Sequence, residues 1–342
     1  MFFNGSTEYA LILSITFIFF AIIPGYQKTK FVVKKLVVNQ RFRIENNNKS
    51  LWFLSIIVVS IVPIVLGEVS AAFPIFAGAL AISITLSEKI IKSHNLKINS
   101  YVYLAIYLSI SFLFYFYTWS GGGRILFGAI VSFPFLLLVQ YRDFYFRLYH
   151  IIFAGPLLIG VGHIIRYGEV DFTRLHVGSV GTPVLNTIDL VKYFHSYEIK
   201  GVEAMMGQFS LFFLGWVPRS IWSSKPIGLG LTFVDDHLSR EGASDEHSTA
   251  VGFIGELIWF LGPYFPIGLL VIVMTFYFTR RVLLKISFGS FAPVIMFDAF
   301  IPNYLWGGLA SFGARVWFFV IPALFVIWLQ HTLKRRALRK VS

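Results

Sequence analysis

The sequence predicts an all-α polytopic membrane protein with about nine transmembrane helices and one long external loop containing short or re-entrant helices. Three observations predict it. Apolar runs recur along the chain at close to the ~20 residues that a helix needs to cross a bilayer core. Only 13% of residues are charged and 56% are hydrophobic, against about 25% charged in a soluble domain whose surface faces water. Lys and Arg gather in alternate connections between the runs, the mark of short cytoplasmic loops.

Helices are expected at about 8–26, 51–67, 70–87, 100–118, 125–140, 149–165, 251–279, 286–309 and 314–331. They must be helices because every backbone N–H and C=O inside hydrocarbon has to be paired internally. A transmembrane β-barrel needs alternating segments of about ten residues, and no such series occurs. The first run has no basic segment before it, so it reads as a retained helix and not a cleaved signal. The connection after it carries Lys28, Lys30, Lys34, Lys35, Arg41, Arg43 and Lys49. Later alternate connections carry Lys89, Lys92 and Lys97, then Arg142 and Arg147, then Arg280, Arg281 and Lys285, and the tail adds Lys334, Arg335, Arg336, Arg339 and Lys340. Twenty of the 29 basic residues thus fall on one side. That side is cytoplasmic by the positive-inside rule, which puts the N-terminus outside and the C-terminus in the cytoplasm.

The whole chain, 1–342, reads as one transmembrane domain with an external segment, 166–250, inserted between helices six and seven. Within it, Val184, Leu185, Ile188, Val191 and Ile199 recur at helical spacing among Asp189, Lys192 and Glu198, the pattern of an amphipathic helix lying at the membrane interface. Residues 202–217 are apolar but short for a span and read as a re-entrant or interfacial segment. No internal repeat is visible, so an inverted-repeat transporter has no direct support.

The net charge of +12 sits mostly in short cytoplasmic connections, where attraction to the anionic lipid bilayer is its ordinary meaning; no nucleic-acid partner is expected. The chain has no cysteine, hence no disulfide framework or thiol nucleophile. His150 and His163 lack partners at metal spacing, and no H-x-x-x-H, acidic D-x-D or phosphate-binding Gly-rich loop occurs. No metal or cofactor is therefore expected.

Four basic residues lie on the external side near helix ends. Arg124 follows Ser120-Gly121-Gly122-Gly123 and opens helix five; Arg219 and Lys225 lie in Trp216-Val217-Pro218-Arg219-Ser220-Ile221-Trp222-Ser223-Ser224-Lys225-Pro226; Arg315 follows Ser311-Phe312-Gly313-Ala314 and opens the last helix. Guanidinium forks and helix N-termini both suit phosphate oxygens, and small residues beforehand let a bulky head group approach the backbone. A lone arginine here would more simply snorkel to lipid phosphates; three with a lysine point to a shared anionic ligand. Glu256, inside helix seven, is either a desolvated general base or the partner of one of these arginines. Ser248 and Thr249 are placed to cap that helix, and His247 is a second candidate base. Asp298 is either a proton relay or a local partner for the kink at Pro302.

The strings V-P-R-S-I-W-S-S-K-P at 217–226 and T-A-V-G-F-I-G-E-L-I-W-F-L-G at 249–262 resemble the Wzy-type polymerases of O-antigen and capsule repeat units. In that family an external-loop "P-R-x-x-W-x-x-K-P" precedes a helix with "G-E"; Ser120–Arg124 resembles its "S-G-x-R" element, and Arg315 its late external arginine. The resemblance implies a metal-independent glycosyltransferase of the GT-C kind at the external face of the bacterial cytoplasmic membrane. It would transfer a growing glycan from its undecaprenyl diphosphate carrier to the non-reducing end of a new lipid-linked repeat unit. By resemblance Arg124, Arg219 and Arg315 hold the diphosphate, Lys225 assists, and Glu256 accepts the proton of the attacking sugar hydroxyl. Trp216, Trp222 and Trp259 face sugar rings or anchor the interface. A flippase and a chain-length regulator are the implied partners. Three alternatives stay open: an O-antigen ligase, which needs an external histidine such as His237 or His247; a flippase or transporter of lipid-linked glycan; and a scaffold without chemistry.

Overall fold

A computed structural model describes residues 69–92, 124–141, 186–188, 190–191, 200–237 and 250–339. The helices expected at 8–26, 51–67, 100–118 and 149–165 lie outside the described residues, as do His150, His163 and His247. Helix makes up 85% of the described residues and none of them is in a strand, so this part of the chain is all-α.

Two helices fall close to their expected bounds: α1 (Val69–Lys92) and α2 (Arg124–Tyr141). The long loop contributes α3 (Gly201–Leu214) and α4 (Leu229–His237). The C-terminal part holds α5 (Gly252–Leu261), a 3-10 turn at Gly262–Tyr264, α6 (Phe265–Ile286), α7 (Ala292–Ala299) and α8 (Ile301–Arg339).

The last three expected helices need correction. The run at 251–279 is not one helix but two. Gly262, at φ 55°, ends α5, and Pro263 and Pro266 cannot donate to a continuing ladder. The chain then folds back. Gly268 of α6 lies against Leu257 and Leu261 of α5, while Phe253 at the start of α5 and Phe276 in mid-α6 both pack on Tyr304, at 5.5 and 5.2 Å. The half-helix α5, about 15 Å long, therefore runs beside α6, about 33 Å long. The helix expected at 286–309 begins only at Ala292 and breaks at Phe300 and Gly308. The one expected at 314–331 starts at 309 and continues to Arg339.

Among the described residues two apolar helical stretches, Gly252–Ile286 and Ile301–Leu333, are long enough to cross a membrane, yet only 39% of the apolar window in each is buried by protein. In the first, α6 alone supplies the crossing length. Its outer side presents Ile267, Leu270, Val271, Met274, Phe278 and Val282.

Helix α8 is the hub, packing on α1, α3, α5 and α7. It runs parallel to α1, since Phe73 meets Phe318 and Phe319 while Gly78 faces Pro322. The C-terminal ends of α1 and α8 thus point the same way. The core between them is aromatic: Phe133 of α2 touches Phe300 and Phe319, and Phe212 of α3 touches Phe276, Phe297 and Phe312. Most of these rings meet edge to face or tilted, the arrangement favoured by their quadrupoles.

Two acidic residues lock the turn between α6 and α7. Glu88, 1% exposed at the end of α1, accepts the Phe291 N–H at 2.7 Å and the Ser290 hydroxyl, placing an anion at the start of α7. Asp298 pairs with Arg280 of α6 at 3.0 Å. Its structural role is therefore that of an ion-pair partner, not a local support for the Pro302 kink.

The amphipathic segment at 184–199 is helical at 186–188 and 190–191, as its spacing predicts, but it is tucked inward. Thr187, Ile188 and Leu190 are buried; the Asn186 amide donates to Ala250 O at 2.6 Å and the Thr187 hydroxyl to Val251 O at 2.7 Å. These bonds hold the entry to α5. The N-cap of α5 is Val251, without a side-chain cap, and not Ser248 or Thr249, which lie outside the described residues.

Candidate functional site

The segment 215–228 is a compact loop built by its own cations. Pro218 fixes its first turn, its carbonyl accepting the N–H groups of Ile221 and Trp222 at 3.1 and 3.0 Å. The Lys225 N–H then bonds to Trp222 O at 3.1 Å, and Pro226 biases Lys225 toward extended backbone. Across this double turn the Arg219 guanidinium donates to Lys225 O at 2.7 Å and Pro226 O at 3.1 Å. The Lys225 ammonium donates to Gly215 O at 2.5 Å and Val217 O at 3.0 Å. Those carbonyls follow the C-terminus of α3, where the helix dipole favours a cation. No carboxylate among the described residues pairs with either charge. Partial burial and then repulsion from Arg219 push the Lys225 pKa below the usual lysine range.

The loop is pinned to α8 on the stretch that carries Arg315. The carbonyl of Leu211, in the last turn of α3, presses on Gly313, where any Cβ would collide with it. The Trp317 indole donates to Phe212 O at 2.6 Å, satisfying a carbonyl that the helix end leaves open. Trp216 packs edge-on to Phe318 at 6.3 Å. At the loop exit, the Gln208 amide donates to Ile227 O at 2.6 Å, and Gly228 abuts Ala310.

These contacts revise the expectation for Arg315. It does not open a helix: the segment 309–339 begins six residues earlier, after the break at Gly308. Nor is Gly313 a landing place for a head group, because α3 already occupies it. Arg315 instead reaches back one turn, as helical side chains do, and one Nη donates to Ser311 O at 3.0 Å and Ser311 Oγ at 2.6 Å. A guanidinium has five N–H donors. Its remaining donors have no partner among the described residues, and no acid pairs with it.

Glu256 is 1% exposed on α5. The expected pairing with an arginine is not seen among the described residues, for its partner is the backbone N–H of Leu309, 3.0 Å from one oxygen and 3.3 Å from the other. That N–H is an unpaired donor of a helix restarting after Gly308. A carboxylate has about four acceptor positions, so the described residues leave most of its capacity unused. Arg315 does not use it; no ion pair joins the two residues, although the guanidinium lies level with Ser311, two residues along the same helix from Leu309.

The remaining sequence-derived candidates divide. Arg124 opens α2 as expected, but its side chain lies outside those described, as does that of His237. His247 lies outside the described residues altogether. Trp222 is half-buried in the loop turn. Trp259 is buried and edge-on to Phe233 at 5.9 Å, so it is a core residue and not an interface anchor. Sequence reasoning missed Gly308, Ser311 and Asn303. The pair Gly307-Gly308 inside an apolar run was the available signal for the break. Asn303, whose buried Nδ2 has no hydrogen-bond partner among the described residues, carried no such signal; a buried orphan donor calls for a functional or ligand-based reason. Comparison of the chain with protein-family profiles, curated proteins and solved structures finds no match.

Proposed function

We propose that this chain is a multi-pass enzyme of the bacterial cytoplasmic membrane that polymerises undecaprenyl diphosphate-linked oligosaccharide repeat units at the external face. One observation carries the proposal. A carboxylate with spare lone pairs, Glu256, and a guanidinium with spare donors, Arg315, lie along one helix segment and do not pair with each other. Opposite charges at membrane depth that serve only structure lower their energy by pairing, as Arg280 and Asp298 do. Left apart, they suit a substrate that brings both a hydroxyl and an anion.

Two further features support the reading. The loop motif that resembles the Wzy-type polymerases folds as a unit against the Arg315 segment, and its two cations face backbone carbonyls and, among the described residues, no acid. The apolar, largely uncovered faces of α6 and α8 call for a lipid environment.

In the proposed reaction the Glu256 carboxylate takes the proton of the acceptor sugar hydroxyl as that oxygen attacks the anomeric carbon of the donor glycan. The new glycosidic bond forms as the bond from that carbon to the diphosphate oxygen breaks. The departing diphosphate keeps the electron pair, and Arg315, Lys225, Arg219 and Arg124 offset its growing charge. Deleting the gene and sizing the surface glycan tests the function. Single repeat units are the expected result. Long chains left on the carrier would identify a ligase instead, and intermediates trapped inside the cell a flippase.

A further inference from the structure

The break in α8 does more than bend a helix. Gly308 adopts φ 72° and ψ −169°, a conformation open in practice only to glycine. A Cβ at this position would lie 2.7 Å from Cδ, Oε1 and Oε2 of Glu256. The same backbone turn frees the Leu309 N–H and directs it at that carboxylate. Conformation, missing side chain and exposed donor thus converge on one group from another helix. On the other side α5 is held by Thr187, which anchors Val251 O at 2.7 Å, so Glu256 is clamped between two fixed elements.

We infer that Gly308 is a positioning residue: with the Leu309 N–H it forms a seat that holds the Glu256 carboxylate at the angle needed to meet the acceptor hydroxyl. This rests on the role proposed for Glu256 above. The seat uses one N–H, which orients the carboxylate while leaving its other acceptor positions to the substrate. A stronger cage of several donors would fix it equally well but compete for the lone pairs that must take the proton. Orientation of this kind is worth large rate factors, and an ångström of misplacement costs on the order of a hundredfold.

The test uses the full-length protein in lipid nanodiscs, with lipid-linked repeat units extracted from the deletion strain as substrate. Gly308→Ala is expected to lower kcat at least tenfold while KM stays within twofold. Glu256→Gln keeps an oxygen for the Leu309 N–H, so it should melt near the wild-type temperature yet lose turnover. Glu256→Asp withdraws the carboxylate by one methylene without touching the break, so it reports on positioning even if Gly308→Ala does not fold; it should lower kcat at unchanged KM. Melting of Gly308→Ala, Glu256→Ala and the double variant completes a cycle, and the Gly308→Ala penalty should shrink once the carboxylate is gone. Additive melting shifts would overturn the seat, and wild-type kcat in a folded Gly308→Ala or in Glu256→Asp would overturn the positioning role. A non-additive cycle in a protein that never elongates lipid-linked repeat units would leave the seat standing and remove the polymerase reading instead.

Discussion

Replacing Arg315 with methionine separates a functional cation from a structural one, because the two roles predict opposite signs for stability. In the folded protein Arg315 has two hydrogen bonds, both to Ser311, and no acidic partner among the described residues. Hydrogen bonds from a charged donor contribute about 1.5–3 kcal/mol each, and these two share one nitrogen, so together they are worth about 3 kcal/mol. Against that stands the effective penalty for removing one ion from water, several kcal/mol after relaxation. The two nearly cancel. Methionine fills similar volume with no charge to bury, so Arg315→Met should leave the melting temperature unchanged or raise it. Activity should fall by a factor of about 100–1000, the loss typical when one donor to a developing oxyanion is removed. Thermal unfolding in nanodiscs reads the first quantity and surface glycan length the second. A variant destabilised by more than about 2 kcal/mol would show that the Ser311 contacts are the purpose of the residue. Full-length polymer from a stable variant would remove Arg315 from the site.

Three other outcomes follow from the same structure. Because burial and then Arg219 lower the Lys225 pKa, affinity for pyrophosphate should be greatest at low pH and fall as pH rises through a value below the usual lysine range; titration calorimetry of wild type against Lys225→Met reads it. The unfolded chain binds the Lys225 proton more tightly, so this residue's contribution makes stability rise with pH between the lowered folded value and the ordinary one. Gly313→Ala should cost about 1–3 kcal/mol, since the new methyl meets the Leu211 carbonyl and backbone cannot move aside without displacing α3; an unchanged melting temperature would mean that the helices do not cross there. Glu88→Ala leaves the buried Phe291 N–H and the Ser290 hydroxyl without this acceptor and should destabilise by about 2–4 kcal/mol, with Glu88→Gln intermediate, measured by thermal unfolding.

Much of the architecture was legible because it rests on local composition. The apolar runs that became α1 and α2 were long, lightly charged and flanked by basic or Gly-rich segments; three of their four ends fell within one residue of expectation, and α1 runs five residues further, to Lys92. The short apolar run at 202–217 was recognised as too short to span, and α3, with 14 residues, rises only about 21 Å. Helical periodicity at 184–199 marked Ile188, which is buried, but not Thr187 or Leu190, which are buried beside it. It could not say what would cover them, since an amphipathic face fits a lipid surface and a neighbouring helix equally well.

The errors share a physical cause. Hydrophobicity windows see a continuous run across Gly262 and Pro263, whereas the backbone conformation there turns the chain back on itself. The last helix is expected at 314–331, with Gly313 just before it as room for a head group, but that glycine is small to admit the α3 carbonyls, and the boundary lies at Gly308. A glycine required by a crossing and a glycine required by φ look alike in a sequence.

What the sequence determined by itself was an all-α fold with apolar helix of membrane-crossing length, which the described residues show in part, together with the short set of charged residues, Arg219, Lys225, Glu256 and Arg315, that stand out in it. Composition and spacing suffice for that, because the cost of burying backbone and charge is a property of each residue type. Which of those charges pair was decided only by the tertiary structure. Among the described residues Glu256 meets Leu309 and not an arginine, and Arg315 meets Ser311 and not an acid, because a helix break and a helix crossing between residues far apart in the chain set the distances at which charges act.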